Sequence, residues 1–133
     1  MSGSAQPQIL VIDDEADVLT VIRMTLEKEG FQVHTAGTVA AGLEFFARHS
    51  AEMRLVLLDY LWPEMTGDRV FERLQQLDPG VRVVLLTGCD FEVARKLLAR
   101  GVRGYLQKPF MIEDLISCVR DEVDARPAAK DRP

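Results

Sequence analysis

Four short segments of the chain are apolar and rich in valine, leucine and isoleucine. They are residues 9–12, 55–58, 83–86 and the shorter 104–106. Continuous apolar runs of this length are typical of strands that are buried on both faces, as in a parallel sheet. A fifth segment, residues 31–35, alternates between apolar and polar positions, which predicts an edge strand with one face in water.

Apolar residues recur at helical spacing in the intervals between these segments. Gly30 is placed to cap the C-terminus of the first helix. Thr38 and Asp90 are predicted N-caps of the second and fourth helices, whereas Met111 is a poor cap for the last one. The pattern gives five consecutive βα units without a repeat, and this alternation predicts a parallel sheet with helices on both faces.

The chain has 133 residues, the usual size of one domain. Apolar residues make up 47% and charged residues 28% of it, which excludes a disordered chain and a membrane protein. No apolar run approaches the ~18 residues of a spanning helix, and the start lacks a secretory pattern, so we expect a cytoplasmic protein. We expect residues 1–7 to be a disordered lead, residues 8–125 the domain, and residues 126–133 a flexible tail or the start of a linker.

The formal net charge is −5, from 16 basic and 21 acidic residues. Electrostatic binding to nucleic acid depends on clustered lysine and arginine, so this excess of acid argues against a nucleic-acid partner. The two cysteines, Cys89 and Cys118, have no metal-binding spacing. We expect both to be reduced thiols.

Polar residues come directly after four of the predicted strands. In chain order they are Asp13 and Asp14, Asp59, Thr87 with Gly88, and Lys108. Ligands of open α/β sheets bind at the carboxyl ends of the strands, so we expect these residues at one site. Three carboxylates repel one another without a cation, and oxygen ligands suit Mg²⁺. The lysine, the hydroxyl and the glycine N–H complement phosphate oxygens. A metal site and a phosphate site at the same edge predict phosphoryl transfer to a carboxylate.

Each of these residues also has an ordinary structural interpretation. An acidic pair after a strand is commonly a helix N-cap, a single aspartate is commonly a turn residue, and Thr-Gly and Lys-Pro are common loop dipeptides. Because these residues occur together at the ends of four predicted strands, a shared functional site is favoured over these separate interpretations.

With these residues the chain resembles the receiver domain of two-component response regulators, and of chemotaxis regulators among them, over about residues 8–125. The motifs are VIDDE at 11–15, LLDYLWPEMTG at 57–67, LLTG at 85–88 and GYLQKPF at 104–110. The resemblance implies an α/β, flavodoxin-like (βα)5 fold: a doubly wound parallel sheet of five strands in the order 2-1-3-4-5.

The resemblance also implies roles for the acidic residues. Asp59 would be the phosphoacceptor. The cofactor would be Mg²⁺, bound by Asp14, Asp59 and the backbone carbonyl of Leu61. Asp13 would assist the metal through water.

The remaining roles concern the phosphate and a switch. Lys108, with a cis bond to Pro109, would pair with the acyl phosphate, and the Gly88 N–H would face it. Thr87 would move to hydrogen-bond the phosphate, and Tyr105 would follow from outside to inside.

Comparison with the family pattern leads to two further expectations. Trp62 stands where most members carry methionine, and we expect an exposed aromatic side chain beside the acceptor loop that marks a contact. In this family the side chains two residues past the acceptor and two past the threonine flank the water that hydrolyses the acyl phosphate, and here they would be Leu61 and Cys89. Neither side chain orients water well, so we expect slow dephosphorylation.

The resulting prediction is a phosphorylation-activated signalling switch, not an enzyme, that assists only its own phosphorylation and slow dephosphorylation. The donor would be a phosphohistidine of a sensor histidine kinase or of a histidine phosphotransfer protein. Phosphorylation would shift the face formed by the fourth helix, fifth strand and fifth helix, which would bind a downstream protein target. We expect no nucleic-acid or membrane partner and a monomer or weak dimer, either a single-domain regulator or part of a hybrid kinase or longer regulator.

Two functions of other classes remain as alternatives. A metal-dependent phosphatase or phosphotransferase with an aspartyl intermediate would carry a second carboxylate two residues past its nucleophile, where this chain has Leu61. A module that only binds would lack at least one of Asp14, Asp59, Thr87 and Lys108, and the sequence has all four.

Overall fold

A computed structural model describes residues 6–60, 62, 65–88 and 91–125. Within these ranges five strands alternate with five helices. In chain order the elements are β1 (Gln8–Ile12), α1 (Ala16–Lys28), β2 (Gln32–Ala36), α2 (Val39–His49), β3 (Met53–Asp59), α3 (Gly67–Leu77), β4 (Val83–Thr87), α4 (Phe91–Ala99), β5 (Gly104–Gln107) and α5 (Ile112–Asp124). A 3₁₀ turn at Ser50–Glu52 leads into β3. Most of the expected lead and all of the expected tail lie outside the described residues.

The five strands form one parallel sheet in the order β2-β1-β3-β4-β5, which confirms the predicted fold class. The register aligns the carboxyl ends of the strands: Ile12 lies beside Leu58, and Thr87 lies beside Gln107. The residues that follow these positions therefore emerge at the same edge of the sheet, as expected for an open α/β sheet.

The sheet separates two buried layers of side chains. Leu10 and Ile12 of β1 belong to the layer that contains residues of α2, α3 and α4. Ile9 and Val11 belong to the layer that contains residues of α1 and α5. Because both faces of β1 are covered, its apolar run has no alternation, and each fully buried side chain of this size stabilises the fold by about 1.5–3 kcal/mol.

The predicted helix ends are largely confirmed. The Thr38 hydroxyl accepts a hydrogen bond from Ala41 N at 3.0 Å at the start of α2. Gly30 adopts a φ of +95° after α1, which its missing Cβ permits. Met111 makes no side-chain capping bond to α5, as predicted, whereas the predicted cap Asp90 lies outside the described residues.

One strand boundary differs from the predicted one. Phe31 was expected to open the second strand, but β2 begins at Gln32. The reason is that Phe31 N donates to Leu26 O at 3.1 Å and so completes the C-terminus of α1. The Phe31 ring is nevertheless buried, so the apolar pattern correctly indicated that this side chain belongs to the core.

No helix within the described ranges combines the length and apolar character needed to cross a membrane.

Candidate functional site

Three aspartates converge at the carboxyl edge of the sheet. Asp13 directly follows β1 and is fully buried, and its backbone N–H donates to Ala36 O at 3.1 Å, which fixes the chain as it leaves the strand. Asp14 is exposed, and Asp59 ends β3 with a side chain that is largely buried. One carboxylate oxygen of each lies within 4.8 Å of those of the other two. The structure thus brings together the three carboxylates that the sequence predicted to meet.

Lys108 supplies the positive charge of this cluster. Its Nζ lies 2.8 Å from Asp13 Oδ2 and 3.6 Å from Asp59 Oδ1. The backbone N–H of Lys108 donates to Thr87 O at 2.7 Å, and the bond that follows, Lys108–Pro109, is cis, as the resemblance implied. The side chain reaches from the end of β5 across the sheet edge to Asp13 and Asp59.

The pKa of Lys108 reflects opposing effects. Burial alone lowers this pKa, because it disfavours the charged ammonium. The contacts with Asp13 and Glu15 and the charge of Asp59 outweigh burial and raise the pKa above its ordinary value. Lys108 is therefore charged throughout the physiological range.

The two oxygens of Asp13 have different environments. Oδ1 accepts a hydrogen bond from Glu15 N at 2.9 Å. Oδ2 is fully buried and accepts no hydrogen bond of good geometry from the described residues, so that its close approach to Lys108 is an ion pair only. A buried carboxylate oxygen beside two further carboxylates fits a hard divalent cation such as Mg²⁺. Because Asp14 is exposed, one side of the cluster is open to solvent. This also suits Mg²⁺, because the ion retains several water ligands.

Thr87 and Gly88 lie at the end of β4, next to this cluster in the sheet. Thr87 is largely buried, whereas Gly88 is exposed and an added Cβ there would meet no atom within 4 Å. Tyr105 lies on β5 and is 36% exposed. Its ring meets that of Phe91 of α4 edge-on, with centroids 5.8 Å apart, so Tyr105 occupies the outward position.

The expectation for Trp62 was wrong. The side chain is only 9% exposed and belongs to the same buried layer as Leu58 and Val70. Its Nε1–H donates to Asp59 O at 2.6 Å. An indole can be buried when its N–H finds an acceptor, and the carbonyl of Asp59 supplies one. Leu61 and Cys89, the other loop residues singled out in the sequence, lie outside the described residues.

Glu15 is a site residue that the sequence reasoning did not assign. Its Oε1 lies 2.8 Å from Lys108 Nζ, the same distance as Asp13 Oδ2. The side chain of Glu15 is 60% exposed, so this ion pair is a weak one. The signal was present as the third acidic residue in the run that follows β1.

A scan against models of protein families matches the response regulator receiver domain over residues 9–120. Among curated proteins, the chain is 35% identical over 114 residues to the transcriptional regulatory protein YkoG of Bacillus subtilis, which covers 84% of this chain and 49% of that protein. The chain thus spans about half the length of this relative.

Solved structures show the same fold. A response regulator receiver domain protein from Clostridium thermocellum superposes with a TM-score of 0.84 at 30% identity, covering 89% of this chain and 94% of that one. A chain of the CheX–CheY–BeF3–Mg²⁺ complex from Borrelia burgdorferi has a TM-score of 0.83 at 20% identity, covering 90% of both chains. Taken with the strand order and the converging carboxylates, these matches show that the chain belongs to the response regulator receiver domain family.

Proposed function

We propose that Asp59 accepts a phosphoryl group from a phosphohistidine of a sensor histidine kinase or a histidine phosphotransfer protein. A carboxylate oxygen of Asp59 attacks phosphorus, the N–P bond of the phosphohistidine breaks, and its electron pair returns to the imidazole nitrogen. The observation that carries this proposal is the position of the Lys108 ammonium, 3.6 Å from Asp59 Oδ1 at the edge of the sheet. A fixed positive charge there stabilises the negative charge of the transferred group.

Mg²⁺ is the cofactor of the proposed reaction. Asp14 and Asp59 would hold it directly and Asp13 through water, with the carbonyl of Leu61 as the remaining protein ligand. When bound, the metal neutralises negative charge on the phosphoryl oxygens. The carboxylate cluster and the burial of Asp13 Oδ2 support this assignment, and the Borrelia burgdorferi neighbour of the same fold is a complex with BeF3 and Mg²⁺.

The donor would approach from the side of α1. An open, mostly apolar cleft of about 410 Å³ lies beside Lys108 and is lined by Val18, Val21 and Phe110 among others. A partner helix with apolar residues around its phosphohistidine would cover these side chains and bring the phosphorus atom to the sheet edge.

Phosphorylation would then change the conformation of Thr87 and Tyr105. The hydroxyl of Thr87 and the N–H of Gly88 would donate to the new oxygens, and the inward movement of Thr87 would make room for the Tyr105 ring. That ring now contacts Phe91 of α4, so its movement would alter the face formed by α4, β5 and α5, where a downstream protein target would bind.

The protein acts in this scheme as a signalling domain whose chemistry is confined to its own acceptor residue. Dephosphorylation would be slow, because Leu61 and Cys89 offer poor groups for orienting water. A phosphatase acting on external substrates is disfavoured, because Leu61 occupies the position where such an enzyme needs a second carboxylate.

The test is labelling with a small acyl phosphate in the presence of Mg²⁺. Intact mass should rise by one phosphoryl group in the natural protein and stay unchanged in Asp59→Asn, which keeps the size of the side chain but removes the nucleophile. Asp124→Asn is the matched control, because it makes the same change at an exposed position of α5, and it should label normally. Equal labelling of the Asp59→Asn variant and the natural protein would refute the assignment.

A further inference from the structure

The indole of Trp62 ties the core of the protein to the backbone of the acceptor residue. The ring is almost fully buried in the layer on the side of α2, α3 and α4. Its Nε1–H donates to Asp59 O at 2.6 Å. The pairing of β1 with β3 ends at Leu58, so this bond holds the first residue of β3 beyond that pairing.

Two backbone hydrogen bonds also hold Tyr60, the residue after Asp59. Gly67 N, at the start of α3, donates to Tyr60 O at 3.0 Å, and Tyr60 N donates to Leu86 O at 3.1 Å. The backbone of Asp59 and Tyr60 is therefore tied to the sheet, to the first turn of α3 and, through Trp62, to the core.

We propose that Trp62 is a positioning residue for the acceptor site, acting through the backbone of Asp59; this inference rests on the proposed function. The indole hydrogen bond restricts the backbone of Asp59, so that the Asp59 carboxylate is already placed for Mg²⁺ and phosphate. Without the bond, only a fraction of the molecules holds the competent arrangement, and the apparent affinity for the metal falls by that fraction.

The hydrogen-bond donor distinguishes this role from simple filling of the core. An apolar side chain such as methionine could fill the same space but has no N–H to donate. A packing role would be retained by any side chain of the same shape, whereas a positioning role needs the N–H.

The single tryptophan of the chain makes a selective experiment possible. Biosynthetic replacement of tryptophan by 3-benzothienylalanine exchanges the indole N–H for sulfur at this position alone and keeps the shape of the ring. We expect the Mg²⁺ dissociation constant, measured by calorimetry, to rise about three- to tenfold, the effect of losing one hydrogen bond. Labelling by acyl phosphate at subsaturating Mg²⁺ should slow by the same factor.

Phe46→Leu is the matched control for a general loss of packing. Phe46 is fully buried in the same layer, but it lies about two turns along α2 from the sheet edge. This variant should lower the melting temperature and leave the Mg²⁺ affinity unchanged. An analogue protein with a lowered melting temperature but unchanged Mg²⁺ affinity would show packing alone and overturn the inference.

The indole N–H also gives a readout that does not need the metal. Without Mg²⁺, the natural protein should show one tryptophan indole resonance that exchanges slowly with solvent. Exchange as fast as that of a free indole would overturn the inference alone. A natural protein that neither binds Mg²⁺ nor accepts phosphate would overturn the proposed function and, with it, this inference.

Discussion

Lys108 and Cys118 show how the same physical effect acts differently on two side chains. Burial disfavours the charged form of both, which lowers the pKa of a lysine and raises that of a thiol. At Lys108 the neighbouring carboxylates reverse the effect of burial and raise the pKa. At Cys118 burial and the nearby carboxylates of Glu122 and Asp121 act in the same direction and raise the pKa from 9.0 to about 11.

The raised pKa makes Cys118 an unreactive thiol. The test uses the Cys89→Ser variant, so that Cys118 is the one thiol left. We expect the rate of alkylation of the folded protein to be slow at pH 7–9 and to reach half of its maximum near pH 11, because the thiolate is the nucleophile. The unfolded chain loses this proton at lower pH than the folded one. The thiol therefore stabilises the fold fully below pH 9, and this contribution is lost as the pH rises towards 11. A midpoint near pH 9 in the folded protein would contradict the assignment; the urea-unfolded protein is the control.

At the level of elements, the start of α3 lies very close to the residue that follows β3. A Cβ on Gly67 would lie 2.6 Å from Tyr60 Cδ1 and 3.0 Å from Tyr60 Cα. The second of these atoms is backbone, so relief requires movement of the chain directly after Asp59. The glycine is needed at this position for the close approach of helix and strand.

Gly67→Ala should therefore destabilise the protein and disturb the acceptor site. We expect a loss of about 1–3 kcal/mol in the free energy of unfolding by urea, the usual cost of overpacking, together with weaker Mg²⁺ binding. Gly37→Ala is the matched control, since it adds the same methyl group in the loop before α2, where nothing lies within 4 Å. Equal stability of the two variants would show that the β3–α3 junction relaxes freely.

At the level of the whole molecule, the fold concentrates negative charge at one end of the sheet. Asp13, Asp14 and Asp59 come from two strands that are far apart in sequence and adjacent in the sheet. One lysine compensates part of this charge. The uncompensated part opposes folding, and a cation that binds only the folded state removes it.

Mg²⁺ should accordingly raise the melting temperature. At a metal concentration about 100 times its dissociation constant, the gain is about 2.7 kcal/mol for one site. Asp14→Asn should be at least as stable as the natural protein without metal, because it removes one repelling charge from an exposed position, and its response to Mg²⁺ should be smaller. Sodium chloride at equal ionic strength controls for screening. An identical Mg²⁺ response in both proteins would exclude Asp14 as a ligand.

Much of the fold was determined by the sequence itself. Apolar runs buried on both faces and helices between them are local patterns, and they predicted the strands of the sheet to within a few residues. The same patterns placed Asp13, Asp59, Thr87 and Lys108 after strand ends, and the strands of an open parallel sheet end at one edge. The carboxylate cluster could therefore be predicted from chain order and topology alone.

Other features were decided only by the tertiary structure, because they depend on which groups lie within hydrogen-bonding distance. The sequence suggested an exposed Trp62, but a carbonyl three residues earlier satisfies its N–H and allows the ring to enter the core. Phe31 reads as strand, yet its N–H completes the preceding helix. Glu15 reads as one more acidic residue after β1, and only the reach of Lys108 from β5 makes it part of the site. The periodicity of apolar residues indicates which side chains are buried and on which face of an element they lie. The hydrogen-bond partners of a residue depend instead on how the elements pack together.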